Sequence, residues 1–297
     1  FFLYLIFDNV KLKQALLTEI SVLGIVPKSR EVIPQSQLVI DKKPKSIMAE
    51  SFRSIRTNLE FFESKVDKKV IAVTSTVSGE GKTFVAINLA GILAYSGKRV
   101  IILDLDMRRP RIHSGFQSDN NFGMSTLLSG RGALKDMIQN SDMEGLDFIT
   151  AGPIPPNPSE LIINGRLNVA INELKEDYDV VMIDNPPVGL VADGITTLRM
   201  ADFPLYIFRS EYSKKAFTAH VNKIFRENKI KNLAIVLNAV DLDNLKYKRY
   251  GAYGNKYGYG YGYGYGHGYG HNGYYEEDSQ SSKKSFLSGL KSKGGNS

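Results

Sequence analysis

The chain has 297 residues, 42% of them apolar and 23% charged, a balance that excludes a wholly disordered or collagen-like polymer. It contains no cysteine, which excludes disulfides, thiolate zinc centres and cysteine nucleophiles. The net charge is +7, but residues 247–297 hold seven Lys/Arg against three Asp/Glu, so the body is only mildly basic and no nucleic-acid partner is expected.

The chain opens with seven apolar residues, Phe1 to Phe7. A membrane span needs about 20, so this stretch cannot cross a bilayer alone, and it lacks the basic start and cleavage site of a signal peptide. It reads either as a short core element or as the cytoplasmic end of a longer transmembrane helix. Residues 20–46 carry three prolines and read as an extended connector with one apolar run, Val22 to Val26. A helix is predicted from Ile47 to Phe62, because Ile47, Phe52, Ile55, Leu59 and Phe62 recur at helical steps; its polar face carries Glu50, Arg53 and Arg56. Taken alone, those three charges read as a solvated face with intrahelical pairs.

Strand-like and helix-like segments then alternate. The apolar runs are Val70–Val73, Val100–Leu103, Leu146–Ile149, Val180–Ile183, Leu205–Phe208 and Leu233–Leu237, several without the polar alternation of a half-exposed strand. Helical stretches lie at Phe84–Tyr95, Leu161–Glu176 and Lys214–Glu227. The alternation predicts a doubly wound, parallel α/β domain over about residues 47–245. From Tyr247 to Tyr275 the chain has eleven of its sixteen Tyr and ten Gly. Gly at alternate places gives no second face to pack, so this tail reads as disordered when free.

The chemistry concentrates at three strand ends. Val70–Val73 runs into Thr74-Ser75-Thr76-Val77-Ser78-Gly79-Glu80-Gly81-Lys82-Thr83, followed by the helix at Phe84. A glycine loop between strand and helix wraps backbone N–H groups around phosphate oxygens, Lys82 adds a solvent-facing point charge and Thr83 a hydroxyl for Mg²⁺. The nucleotide-binding run is Ser78, Gly79, Glu80, Gly81, Lys82, Thr83 and Phe84; Thr76 stands where the motif ordinarily has its first Gly. Asp104 and Asp106 end the second strand and face one side if that stretch is extended. Asp184 ends the strand Val180–Ile183. A lone Asp at a strand end is usually a turn residue, but three beside a P-loop point to a metal–nucleotide site. Water as acceptor would make an ATPase, and a protein hydroxyl would make a kinase.

Walker A at Gly79–Thr83, the second motif Leu103-Asp104-Leu105-Asp106-Met107-Arg108, an apolar Walker B ending at Asp184 and the Tyr cluster together resemble the bacterial tyrosine kinases, P-loop enzymes unrelated to the eukaryotic ones. More narrowly, residues 21–297 look like a Gram-positive capsule-biosynthesis tyrosine kinase. The resemblance implies a P-loop NTPase fold, a mostly parallel sheet with helices on both faces, using ATP/ADP and Mg²⁺. Lys82 would bind phosphates, Thr83, Asp106 and Asp184 would hold the metal and its waters, and Asp104 would be the base for the incoming tyrosine hydroxyl. Arg209 and Asn238 are candidates for contacts to the base. Glu50-x-x-Arg53-x-x-Arg56 resembles the family's self-association motif, implying a homo-oligomeric ring. Its neighbouring subunits would phosphorylate Tyr247, Tyr250, Tyr253, Tyr257, Tyr259, Tyr261, Tyr263, Tyr265, Tyr269, Tyr274 and Tyr275, other protein tyrosines being further substrates.

In that family the Gram-positive kinase is activated by the cytoplasmic tail of a membrane modulator, and Phe1 to about Lys13 resembles the end of that modulator's last membrane helix and its cytoplasmic segment. The expected organisation is a modulator-like segment and junction at 1–29, a kinase domain at 30–246 and a phosphorylated tail at 247–297. The expected location is the cytoplasmic side of the plasma membrane, peripheral through the modulator, where the kinase regulates capsular or exopolysaccharide synthesis and export. Asn185 departs from the family, which has Ser or Thr there. The alternative is a partitioning or cell-division ATPase switch, which ordinarily carries another Lys near the start of the loop, where Thr76-Val77 stand. A tyrosine-rich scaffold is a further alternative, but leaves the P-loop and three Asp without purpose.

Overall fold

The computed structural model describes residues 20–29, 38–40, 43–61, 68–189 and 193–242. In chain order the strands are β1 (Ser21–Pro27), β2 (Lys69–Ser75), β3 (Val100–Asp104), β4 (Gln139–Asn140), β5 (Leu146–Ile149), β6 (Val180–Asp184), β7 (Phe203–Arg209) and β8 (Ala234–Val240). The helices are α1 (Ile47–Phe61), α2 (Lys82–Tyr95), α3 (Ile112–Gly115), α4 (Met124–Leu128), α5 (Leu134–Met137), α6 (Pro158–Ile163), α7 (Arg166–Asp177), α8 (Asp193–Met200) and α9 (Ala216–Glu227). One eight-stranded sheet runs β1-β8-β7-β2-β6-β3-β5-β4. All pairings are parallel except β4 with β5. Among the described residues no helix is long and apolar enough to cross a membrane.

Both faces of the sheet are covered, which is why the strands read as unbroken apolar runs. Val70, Ala72, Ile101, Leu103, Val181 and Ile183 face one layer with Leu167, Ala170, Ile171 and Leu174 of α7 and Val221 and Ile224 of α9. Ile71, Val73, Val100, Ile102, Val180 and Met182 face the other, with Phe52, Ile55 and Leu59 of α1 and the buried side of α2. The expected doubly wound sheet is therefore present, with alternate residues of each strand feeding opposite cores.

The fold departs from the sequence reading in several places, the unpredicted helices α3, α4, α5 and α8 among them. The connector at 20–46 contains an edge strand: β1 pairs with β8 through Ser21↔Ala234 and Ile25↔Leu237, with register irregularities between Val22 and Gly24 and between Ile25 and Pro27. The single helix expected over Leu161–Glu176 is two, α6 and α7, because Gly165 takes a left-handed conformation at φ +82° and starts a new helix. The short antiparallel β4 was not anticipated. Phe62, expected to end α1, lies outside the described residues.

β1 seats α1 closely, since a Cβ added at Gly24 would lie 2.5 Å from Cγ1 of the fully buried Ile55. Gly24→Ala is therefore expected to force strand and helix apart and lower stability by roughly 1–3 kcal/mol, read as a shift of the urea midpoint; an unchanged midpoint would show that the contact yields freely.

The topology also places the site. β2 lies between β6 and β7, with β3 beyond β6, so the chain switches direction across the sheet at the carboxyl end of β2, where open α/β sheets bind ligands. Parallel register sets Val73 opposite Asp184 and Asp104 opposite Asp184, bringing two carboxylates and the P-loop to one edge.

Candidate active site

The P-loop joins β2 to α2 with Gly79 at φ +91° and Gly81 at φ +90°, a left-handed backbone that favours glycine. Gly81 is the N-cap of α2, and Val85 N–H donates to its carbonyl. The first-turn N–H groups of Lys82, Thr83 and Phe84 have no intrahelical acceptor, the ordinary anion-binding geometry of a helix start. The Phe84 ring points elsewhere, edge-on to Phe52 at 6.2 Å, so only its backbone is available to a ligand. Thr76 does not need to be Gly: its hydroxyl hydrogen-bonds Tyr206 Oη at 2.9 Å, and its carbonyl accepts from Gly189 N.

Glu80 acts inside the loop. Its Oε2 accepts from Val77 N at 2.9 Å and its Oε1 from the Ser213 hydroxyl. Burial pushes the Glu80 carboxyl above its usual range, opposed by these hydrogen bonds. Arg209 Nη1 donates to Gly79 O at 2.9 Å, Tyr212 Oη to Ser78 O at 2.9 Å, and Asn238 Nδ2 to Glu80 O at 3.0 Å. Arg209 and Asn238, expected to touch the base, thus both hold P-loop carbonyls, and Tyr212 and Ser213, on the same turn as Arg209, had not been singled out in the sequence.

Lys82, Thr83, Asp104, Asp106 and Asp184 meet behind the loop. Lys82 Nζ lies 2.8 Å from Asp106 Oδ2 and 3.4 Å from Asp184 Oδ1, and Thr83 Oγ1 donates to Asp184 Oδ2 at 2.5 Å. Lys82 is only 7% exposed, which corrects the expectation of a solvent-facing charge. Buried carboxylates need a countercharge, and Lys82 supplies it. Burial by itself would lower the Lys82 ammonium, but the charges of Asp184 and then Asp106 hold it above its usual range. Burial pushes Asp184 up, with Lys82 and the Thr83 hydrogen bond opposing.

Asp104 and Asp106 do not share one extended stretch. β3 ends at Asp104, whose Oδ1 accepts from Asp106 N at 3.1 Å, turning the chain back as Asp side chains do in turns. Asp104 Oδ2 accepts from Arg111 N at 3.2 Å and Ile112 N at 3.1 Å, so this carboxylate anchors the segment carrying Asp106. Burial, then the charge of Asp184, raises Asp104 to about 8 against the pull of Lys82. Asn185 is fully buried, its Oδ1 accepting from Thr197 Oγ1 at 2.5 Å, while its Nδ2 has no hydrogen-bond partner among the described residues.

The donor set fits a nucleotide-bound Mg²⁺. Among the described residues no three carboxylate or imidazole side chains form a metal cage of their own. Thr83, Asp106 and Asp184 instead offer three hard oxygen ligands, which suits an ion that keeps waters and phosphate oxygens.

A family profile described as an AAA domain matches residues 68–235. The tyrosine-protein kinase YwqD of Bacillus subtilis (strain 168) is 34% identical over 229 residues, 77% of this chain and 96% of that one. The chain belongs to the bacterial protein-tyrosine kinases. The solved structure of the chimerical protein CapA2B2 is 34% identical, with TM-score 0.71, and covers 77% of this kinase and 98% of that chain. The kinase domain of the Escherichia coli tyrosine kinase ETK is 27% identical, with TM-score 0.70, and covers 82% of this kinase and 95% of that chain.

On α1 of this kinase Glu50 pairs with Arg53 at 2.8 Å, and Arg53 Nη2 donates to Pro44 O at 2.7 Å. Arg56 Nε lies 3.7 Å from Glu60 Oε1 and has no hydrogen-bond acceptor among the described residues. The eleven tail tyrosines lie outside the described residues, as does the stretch Phe1 to Lys13.

Proposed function

We propose that this tyrosine kinase transfers the γ-phosphoryl group of Mg²⁺-bound ATP to C-terminal tyrosines of a neighbouring copy. The convergence of Lys82, Thr83, Asp106 and Asp184 behind a helix-capping glycine loop supports this reading most strongly. The P-loop and the start of α2 would hold the phosphates, while Thr83, Asp106 and Asp184 would hold Mg²⁺, which neutralises phosphate charge when bound. Lys82 would move from carboxylate partners to phosphate oxygens, exchanging one set of anions for another at little electrostatic cost. Asp104 would take the tyrosine proton. A carboxylate has about four lone-pair sites; three of those on Asp104 accept backbone N–H groups, leaving one for that proton when Asp104 is ionised, and because burial raises it to about 8, transfer is expected to rise with pH up to that value.

The self-association helix is proposed as Glu50, Arg53 and Arg56, supported by the exposed Glu50 and the partly exposed Arg53 and Arg56 side chains on α1. Replacing all three by Ala is expected to give monomers in light scattering and to slow autophosphorylation at least about tenfold, because the acceptor must be delivered by another copy. Unchanged assembly would return the helix to a plain solvated face.

The proposed organisation is a modulator-like segment at 1–29, a kinase domain at 30–246 and an acceptor tail at 247–297. The seating of Leu23 and Val26 in the core beside α1 supports an N-terminal segment that packs on its own kinase domain. By family, the proposed setting is capsular or exopolysaccharide synthesis at the cytoplasmic face of the plasma membrane, through a membrane modulator.

The deciding experiment is incubation of the protein with Mg²⁺ and ATP, followed by intact mass and peptide mapping of residues 247–275. Phosphotyrosine there, absent from the Lys82→Met protein, is the expected result. ATP consumed with the tail unmodified would instead support a hydrolytic switch.

A further inference from the structure

Four tyrosines lie among the described residues. Tyr206 and Tyr178 are buried, with hydroxyls committed to Thr76 and Asp147. Tyr95 is exposed but lies in the last turn of α2, about 20 Å along the helix from Lys82. Tyr212 alone is both accessible, at 49% exposure, and bonded to the nucleotide loop.

Its surroundings form a clasp. Arg209, Tyr212 and Ser213 sit on one tight turn, with Tyr212 N and Ser213 N donating to Arg209 O and Arg209 N donating to Ser213 Oγ. Each side chain takes one P-loop residue: Tyr212 holds Ser78 O, Arg209 holds Gly79 O and Ser213 holds Glu80. The Arg209 guanidinium also lies over the Tyr212 ring, 5.3 Å from its centroid. A Cβ at Gly79 would lie 2.9 Å from the Tyr212 hydroxyl, so ring and loop are in close contact. Glu211 is held at φ +61°, a conformation unusual for a residue with a side chain and kept only where neighbours enforce it.

We propose that Tyr212 is a second phospho-acceptor of this kinase, modified by another copy of the chain, and that its phosphorylation releases the P-loop from the clasp and weakens nucleotide binding. The proposal rests on the kinase reading above. In the transfer Tyr212 Oη bonds to the γ-phosphorus of ATP while the bond from that phosphorus to the β,γ-bridging oxygen breaks. ADP leaves with that electron pair, and the phenol proton passes to the base carboxylate of the catalysing copy and then to water. The resulting ester oxygen has no proton to give Ser78 O, and the dianion is repelled by the carbonyls of Ser78 and Gly79. Arg209, with exposed Lys214 and Lys215 beside it, is drawn to the new phosphate and away from Gly79 O. The nearby carboxylates Glu211 and Glu80 oppose this rearrangement but cannot restore the lost donor.

The test uses the full chain with Mg²⁺ and ATP, mapping the tryptic peptide Ser210 to Lys214 alongside the tail peptides. Phosphotyrosine at 212 is expected, and the protein so modified is expected to hold a fluorescent ADP analogue about tenfold less tightly than after phosphatase treatment, the loss of two hydrogen bonds. Tyr212→Glu should show a similar loss and Tyr212→Phe about threefold or less. A phosphorylated tail with an unmodified Ser210–Lys214 peptide would overturn the inference and leave the kinase reading standing. Phosphate on neither would overturn both. Equal ADP affinity before and after phosphatase would overturn the regulatory part even if Tyr212→Glu failed to fold.

Discussion

The Lys82→Met protein is expected to fold but to lose phosphoryl transfer by at least about a thousandfold, the scale on which a group stabilising transition-state charge contributes. The loss of activity follows from Lys82 being the cation nearest the site's carboxylates and the P-loop. The stability of the variant is more telling, because Lys82 is buried between Asp106 and Asp184 and removal of one partner of a buried pair costs about 3–5 kcal/mol. Part of that cost disappears when the carboxylates can take protons. Asp104 and Asp184 already sit above their usual range through burial, and without the Lys82 charge they rise further. A group whose folded pKa is raised favours the fold below its unfolded value and loses that contribution as pH rises through the folded value. The deficit of Lys82→Met relative to the native chain is therefore expected to be larger at pH 8 than at pH 5, measured by urea unfolding at both. A deficit that did not change with pH would mean that the carboxylates are not held by this ammonium.

The parts of this site that were legible in the sequence are those in which local chemistry and strand periodicity coincide. Gly79-Glu80-Gly81-Lys82-Thr83 follows an apolar run and opens a helix, so its placement needed no distant information. Asp184 was legible because it ends an apolar strand in a chain that also carries a P-loop and two further carboxylates at a strand end. The edge strand β1 was hidden among prolines, since its pairing with β8 joins residues more than two hundred positions apart and is irregular at two points. The relation of Asp104 to Asp106 was misjudged for a local reason: the strand stops at Asp104, and the side chain itself makes the turn that re-aims Asp106 toward Lys82. The clasp on the P-loop was illegible because Arg209, Tyr212 and Ser213 meet Gly79, Ser78 and Glu80 across about 130 residues of chain. Nothing in a short polar turn after β7 marks it, and only the sheet order, with β7 beside β2, brings the two together.

That turn made by Asp104 sets up the second large effect. Asp104→Asn is expected to lower phosphoryl transfer by about a hundredfold or more, the range for losing a positioned base. It should also flatten the dependence of stability on pH. In the native chain Asp104 titrates near 8 instead of 3.8, so between these values the folded protein binds more protons than the unfolded one. Stability must then fall as pH rises through that window, by up to about 1.4 kcal/mol per pH unit for each such group. Asp184 and Glu80, also raised by burial, add to the fall with the same sign, whereas Lys82 keeps its charge throughout the window and contributes no slope there. The Asn variant removes the Asp104 contribution and relieves Asp184 of a neighbouring negative charge. It also places an amide where two carboxylate oxygens accept from Asp106, Arg111 and Ile112, which lowers stability by a constant amount at every pH. The two effects separate in one experiment: urea unfolding across pH 5–8 should give a parallel offset from the lost hydrogen bonds and a shallower slope from the lost titration. An offset without a change of slope would mean that Asp104 is not raised in the fold, and undiminished phosphoryl transfer by the same variant would take away its role as the proton acceptor.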